Sequence, residues 1–175
     1  SHQLILIMLK TVEERGRKEI AMSVFSTIAC CIDLSENNED IVSYTREMAE
    51  LTGAKVLLVH VLPSADNFAG YGVSRELLQK VSAESLERAK NHLENFARKY
   101  FSDLKCNTLV LEGTVDKALE DLVDRSCADL VIMGSMNSRG LVSLSGSTTR
   151  LIGHTRVPVM VIPNDLNLEC TPEEG

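Results

Sequence analysis

Residues 134–153, GSMNSRGLVSLSGSTTRLIG, hold the residue types best suited to gripping an anion. Gly134, Gly140 and Gly146 allow a ligand to approach the backbone closely, and Ser147-Thr148-Thr149 open a segment of helical character. Free N–H groups at a helix N-terminus, backed by the helix dipole, favour a phosphate, and nearby hydroxyls add donors. Arg139, inside the loop, can neutralise a phosphate charge. A blander reading stands beside this one: a loop whose Ser147 or Thr148 simply caps the following helix. Three other motifs are absent. There is no G-x-G-x-x-G, no Lys after Gly146 to complete a G-x-x-x-x-G-K-[ST] loop, and no G-x-S-x-G nucleophile elbow.

The remaining reactive side chains offer little chemistry. Cys30, Cys31, Cys106, Cys127 and Cys170 form no C-x-x-C pair, and the first four stand among apolar residues, so they read as reduced core thiols. His2, His60, His92 and His154 lack ligand spacing, so no metal site is expected. His60, within VLLVHV, reads as a hydrogen-bonded core histidine before it reads as a base. No general base, acidic pair suited to Mg²⁺ or paired nucleophile stands near the glycine-rich segment. No catalytic residue is therefore assigned, and an enzyme is not expected. A net charge of −7 argues against nucleic acid as a partner while leaving room for one nucleotide in an amide-lined site.

The elements that would position these residues alternate between apolar runs and helical periods. STIACCID (26–33), KVLLVHVLP (55–63), CNTLVLEG (106–113), DLVIMG (129–134) and VPVMVIP (157–163) read as buried strands. Between the first two, Ile41, Tyr44, Met48 and Leu51 recur at helical spacing, with Gly53 as the C-cap. Ser74 is the N-cap of a long helix to about Tyr100, striped by Ser82, Leu86, Ala89, Leu93, Phe96 and Tyr100. Val115, Ala118, Leu119, Leu122 and Val123 stripe the next. Strands alternating with helices predict an α/β fold, a five-stranded parallel sheet with helices on both faces. Ligands of such sheets sit beyond the strand C-termini, so the segments after Asp33, Val61 and Gly134 should share one rim. Pro158 lacks a ladder donor and places the last strand at a sheet edge.

Taken in register, IACCIDLSE, LLVHVLP, LVLEGTVDKALEDLVDRSCADLVIMGS and GSTTRLIGHTRVPVMVIP resemble the universal stress protein family over residues 25–163. The resemblance implies a Rossmann-like sheet of the adenine nucleotide alpha hydrolase-like type, strand order 3-2-1-4-5, with a homodimer formed through the final strand at Val157, Val159 and Val161. It also implies an ATP or AMP site, with Mg²⁺ as companion cation, around the signature G-x2-G-x9-G-[ST]. Gly134 matches the first glycine, and Gly146 and Ser147 match the closing pair; Asp33 then faces adenine and ribose while Val61 offers main-chain contacts. Ile32, Met133 and Thr148 complete the candidate set. Two departures stand out: Asn137 replaces the second glycine, and eight residues separate it from Gly146. Asn is the non-glycine residue that best tolerates a left-handed turn. The shortened loop is similar to the UspA-type branch, which lacks the signature and is not expected to hold ATP; that alternative implies a homodimeric stress protein acting through protein contacts. Blander roles remain open: Asp33 as a turn cap, Val61 and Met133 as core.

At 175 residues with 44% hydrophobic content, the chain reads as one globular domain (25–163) flanked by an extension (1–24) and an acidic tail (164–175). LILIML (4–9) is too short to span a bilayer and is followed by charge, so a membrane segment and a signal peptide are both rejected and a cytoplasmic protein is expected. Ser1-His2 reads as a cloning remnant, with Met22 as a candidate natural start.

Overall fold

The computed structural model describes residues 24–34, 38–64, 74–125, 127–135 and 146–163. Nine elements follow in order: β1 (Thr27–Cys31), α1 (Glu39–Thr52), β2 (Lys55–Leu62), α2 (Arg75–Tyr100), β3 (Cys106–Glu112), α3 (Val115–Asp124), β4 (Leu130–Gly134), α4 (Gly146–His154) and β5 (Val159–Ile162). All pairings are parallel, in the order β3-β2-β1-β4-β5. Both the strand set and the order match expectation.

β1 and β4 are almost wholly apolar because both faces are covered. Ile28, Cys30, Val56, Leu58, Leu130 and Ile132 pack with Ile41, Val42 and Ala49 of α1 and Leu93 of α2. On the opposite face Ala29, Val59, Val131 and Met133 pack with Leu119, Leu122 and Val123 of α3 and Leu151 of α4. Ser74 caps α2, its hydroxyl accepting from Leu77 N–H at 3.3 Å. Gly53 ends α1 at φ 70°, a left-handed residue whose N–H donates to Ala49.

Two expectations are corrected. The buried face of α1 is Ile41, Val42, Thr45 and Ala49, whereas Leu51 is 67% exposed. A threonine and an alanine carry that face, and apolar counting underweights both. Thr45 can be fully buried because its hydroxyl donates to Cys30 Sγ at 3.3 Å. Cys127, expected in the core, is exposed. β5 lies at the sheet edge as Pro158 requires; that residue lends only its carbonyl, accepting from Val131 N–H at 3.0 Å.

Two charged residues fix the layers. Arg46 of α1 grips the Asp103 carboxylate at 2.6 and 2.7 Å and donates to the Tyr100 carbonyl, joining α1 to the end of α2. Asp129, just before β4, accepts from the Ser26 and Thr27 amides at 2.8 and 3.0 Å, while its own N–H donates to the Thr27 carbonyl. The start of the central strand is thereby tied to the start of its neighbour. Replacing Asp129 by Ala removes both charge-assisted bonds and should cost about 1–3 kcal/mol in urea unfolding. Asp124→Ala, which removes only an exposed contact at 4.0 Å to Arg156, is the control and should cost under about 1 kcal/mol. Equal midpoints for the two variants would refute this role for Asp129.

Candidate functional site

In an open parallel sheet the crevice lies where neighbouring strands send their connections to opposite faces. β1 leads to α1 on one face, and adjacent β4 leads to α4 on the other. The C-terminal ends of β1 and β4 therefore flank the crevice, with the end of β2 beside them. This is the rim expected from the strand order of the chain.

Each element delivers a candidate residue there. Asp33 lies two residues beyond β1 and is exposed; its carbonyl accepts from the Nδ2 amide of buried Asn38 at 2.7 Å, which sets the turn into α1. Val61 lies near the end of β2, half-buried, and Gly134 ends β4. α4 begins at Gly146, so its N-terminal amides open at the same rim. Gly146 is exposed, and a Cβ built on it meets nothing within 4 Å among the described residues. Its glycine thus relieves no strain in the described chain and leaves space beside the helix start. Ser147 and Thr148 follow in the first turn of α4.

Ile32 and Met133 are placed differently from contact residues. Their side chains are buried in opposite core clusters, so only main-chain atoms are available at the rim. Asn137 and Arg139 lie outside the described residues. Val157, Val159 and Val161, singled out for a dimer, pack partly against the core on the α3/α4 face, leaving the edge of β5 to its main chain.

Two polar groups near the rim went unassigned in the sequence, and a third was read as core. Ser135, directly after β4, is 1% exposed; its N–H donates to the Ile162 carbonyl at 2.8 Å, and its hydroxyl has no partner among the described residues. Asp116, in the first turn of α3, is buried, with one carboxylate oxygen 3.4 Å from Arg150 of α4 and the other unpartnered among the described residues. The Thr114 hydroxyl holds the Asp116 carboxyl below the usual carboxylate range, helped by nearby amides and by Arg150, while burial opposes the shift. His60, read as a core histidine, is half-buried with Nδ1 2.9 Å from the Ile32 carbonyl. A serine after the fourth strand and an acid at the second position of a helix were the available signals for the first two.

A groove of about 480 Å³ lies at the other end of the sheet, lined by Ser26, Thr27, Ala128, Asp129 and Arg156. Its central carboxylate, Asp129, is already engaged by two amides, and it faces the strand N-termini. Open parallel sheets bind their ligands at the opposite rim, beyond the strand C-termini.

A 3-2-1-4-5 parallel sheet with an exposed aspartate after β1 and a glycine-led helix after β4 defines a Rossmann-like α/β protein. Residues 25–163 match the Universal stress protein family, and the chain belongs to that family. It is similar to Universal stress protein A homolog 1 of Coxiella burnetii, 26% identical over 138 residues that cover 74% of this chain and 90% of that protein. Universal stress protein MJ0531 of Methanocaldococcus jannaschii is 23% identical over 148 residues, covering 80% and 83%. Among solved structures, hypothetical protein MJ0577 superposes with a TM-score of 0.67 at 21% identity, over 82% of this chain and 99% of that one. A universal stress protein in complex with cAMP superposes with a TM-score of 0.53 at 16% identity, over 82% and 100%. These superpositions show a shared fold.

Cys31, the last residue of β1, is the thiol nearest the crevice. Burial, and secondarily the Asp33 charge, push it up to about 12; burial likewise pushes Cys30 up to about 12. Neither is a nucleophile at neutral pH. Native iodoacetamide labelling at pH 7.5, read by peptide mass spectrometry, should modify Cys127 and spare Cys30 and Cys31. Rapid labelling of Cys31 would contradict its placement.

Proposed function

We propose that the rim binds an adenine nucleotide, ATP or AMP, and that the protein acts as a nucleotide-responsive regulator within the stress response. The observation that carries this reading is the convergence of four features on one crevice. They are exposed Asp33, the end of β2 at Val61, Gly134 with the buried Ser135 hydroxyl that has no partner among the described residues, and the glycine-led start of α4. The cyclic nucleotide held by one relative of this fold is of the same chemical class.

Each residue has a role in that reading. The Asp33 carboxylate accepts from ribose hydroxyls, and the Val61 main chain meets adenine. The backbone at Ile32 and Met133 borders the base. Gly134 and Gly146 allow phosphates to lie against the chain, where the α4 amides with Ser147 and Thr148 donate and Arg139 balances charge. Asn137 takes the place of a second glycine in the turn. Among the described residues no three His, Cys, Asp or Glu side chains gather as a metal site, so Mg²⁺ would arrive on the phosphates themselves. The role is binding rather than turnover.

A second, compatible reading rests on β5. Among the described residues it is an edge strand, and unprotected edges invite pairing. We assign it to a homodimer formed at Val157–Val161, which in the absence of nucleotide would act through protein contacts alone. No helix among the described residues is long and apolar enough to cross a membrane.

Both readings are tested on one preparation. Denatured protein is chromatographed against ATP, ADP and AMP standards, native protein is titrated with Mg-ATP, and its mass is read by light scattering. The expected result is released or titratable adenine nucleotide, weakened at least about tenfold by Gly146→Val, with two 19.3 kDa chains per particle. No binding at millimolar ATP would overturn the first reading, and a monomer at tens of micromolar would overturn the second.

A further inference from the structure

The ladder between β1 and β2 stops one rung short of the rim, and a side chain takes that rung. Cys31 pairs with Val59, and Ile32 N–H still donates to the Val59 carbonyl at 3.0 Å. In a regular parallel ladder the Ile32 carbonyl would next accept from Val61 N–H. Instead, His60 Nδ1 lies 2.9 Å from that carbonyl, and the paired part of β1 ends at Cys31. A carbonyl can only accept, so Nδ1 carries the proton.

The direction of the Val61 main chain follows from its neighbours. Lys55 N–H donates to Ser26 and the Val59 carbonyl accepts from Ile32, so odd-numbered residues of β2 address β1. Val56 N–H donates to Lys105 and the Leu62 carbonyl accepts from Gly113, so even-numbered residues address the β3 side. Val61 therefore directs its N–H and carbonyl past the last paired residue of β1, into the crevice beside Asp33.

We propose that His60 is a positioning residue for base selection: by drawing the Ile32 carbonyl onto its Nδ1 in place of the regular rung, it keeps the Val61 N–H and carbonyl open as an adjacent donor and acceptor for an adenine edge. This rests on the reading of the rim as an adenine site. Adenine presents an acceptor at N1 beside a donor at N6, the complement of that pair. Guanine presents a donor at N1 beside an acceptor at O6, which would set donor against donor and acceptor against acceptor. Buried polar groups left unmatched in this way are strongly selective. Without the imidazole, the Ile32 carbonyl would capture the donor next in register, Val61 N–H, and the reading pair would lose its donor.

Two variants separate this from a merely structural role. His60→Val suits a half-buried strand position and removes the donor. His60→Asn retains one, since its Nδ2 stands about where Nδ1 does. Amide hydrogen exchange at Val61, followed by NMR, reports whether the rung is open. Calorimetric titration with ATP and with GTP reports base selection. Val61 should exchange fast in the wild type and His60→Asn and be protected in His60→Val. The preference for ATP over GTP should fall about tenfold in His60→Val and persist in His60→Asn. A Val61 amide already protected in the wild type, or an unchanged preference in His60→Val, would overturn the role of His60 while leaving the adenine site standing. A wild-type protein that binds neither nucleotide would overturn the site and, with it, the selection assigned to His60.

Discussion

The pairing of β1 on both sides, with β2 at one edge and β4 at the other, is the constraint on which the rest of the structure depends. A strand bonded along both edges and covered on both faces cannot hold a charge or a loop, so β1 is a run of small and apolar residues: Thr27, Ile28, Ala29, Cys30 and Cys31. Its polar groups are pushed to its ends. At the start, Asp129 satisfies the first amides; at the finish, the chain turns at Asp33 under the Asn38 amide. Because α1 and α4 leave toward opposite faces, the finish of β1 is also where the sheet opens.

The two ends of the sheet consequently differ in chemistry. At the start of the strands, amides and carboxylate satisfy one another, and the groove there presents a spent acceptor. At the finish, polar groups stand open among the described residues. The α4 amides begin at the rim, the Ser135 hydroxyl is unpartnered among the described residues, and the β1–β2 ladder gives up its last rung to a side chain. Buried polar groups left open in this way carry a cost that a bound ligand can offset.

The fold was legible in the sequence because β strands covered on both faces leave continuous apolar runs, and five such runs separated by helical periods admit few arrangements. Gly53 and Ser74 could be read as caps because each sits where a helical stripe begins or ends. The face of α1 was harder to read, since Thr45 is buried with a bond to Cys30 of the strand beneath it, which no local pattern records. Cys127 was misplaced because its hydrophobic neighbours, Val123 and Ala128, face inward while it does not. At the site, Asp33, Val61, Gly134 and Gly146 could be found by their positions at element ends. His60, Ser135 and Asp116 are bonded to residues distant in sequence, and only the three-dimensional arrangement brings that out.

The central claim is that ligand chemistry resides at the finish of the strands and not at their start. Amide chemical-shift mapping of the intact chain during titration with Mg-ATP tests it most directly. The account predicts perturbations clustered at Val61, Gly134, Ser135 and Gly146, with Ser26, Thr27 and Arg156 unmoved. Perturbations centred on those last three, or none at millimolar nucleotide, would contradict it.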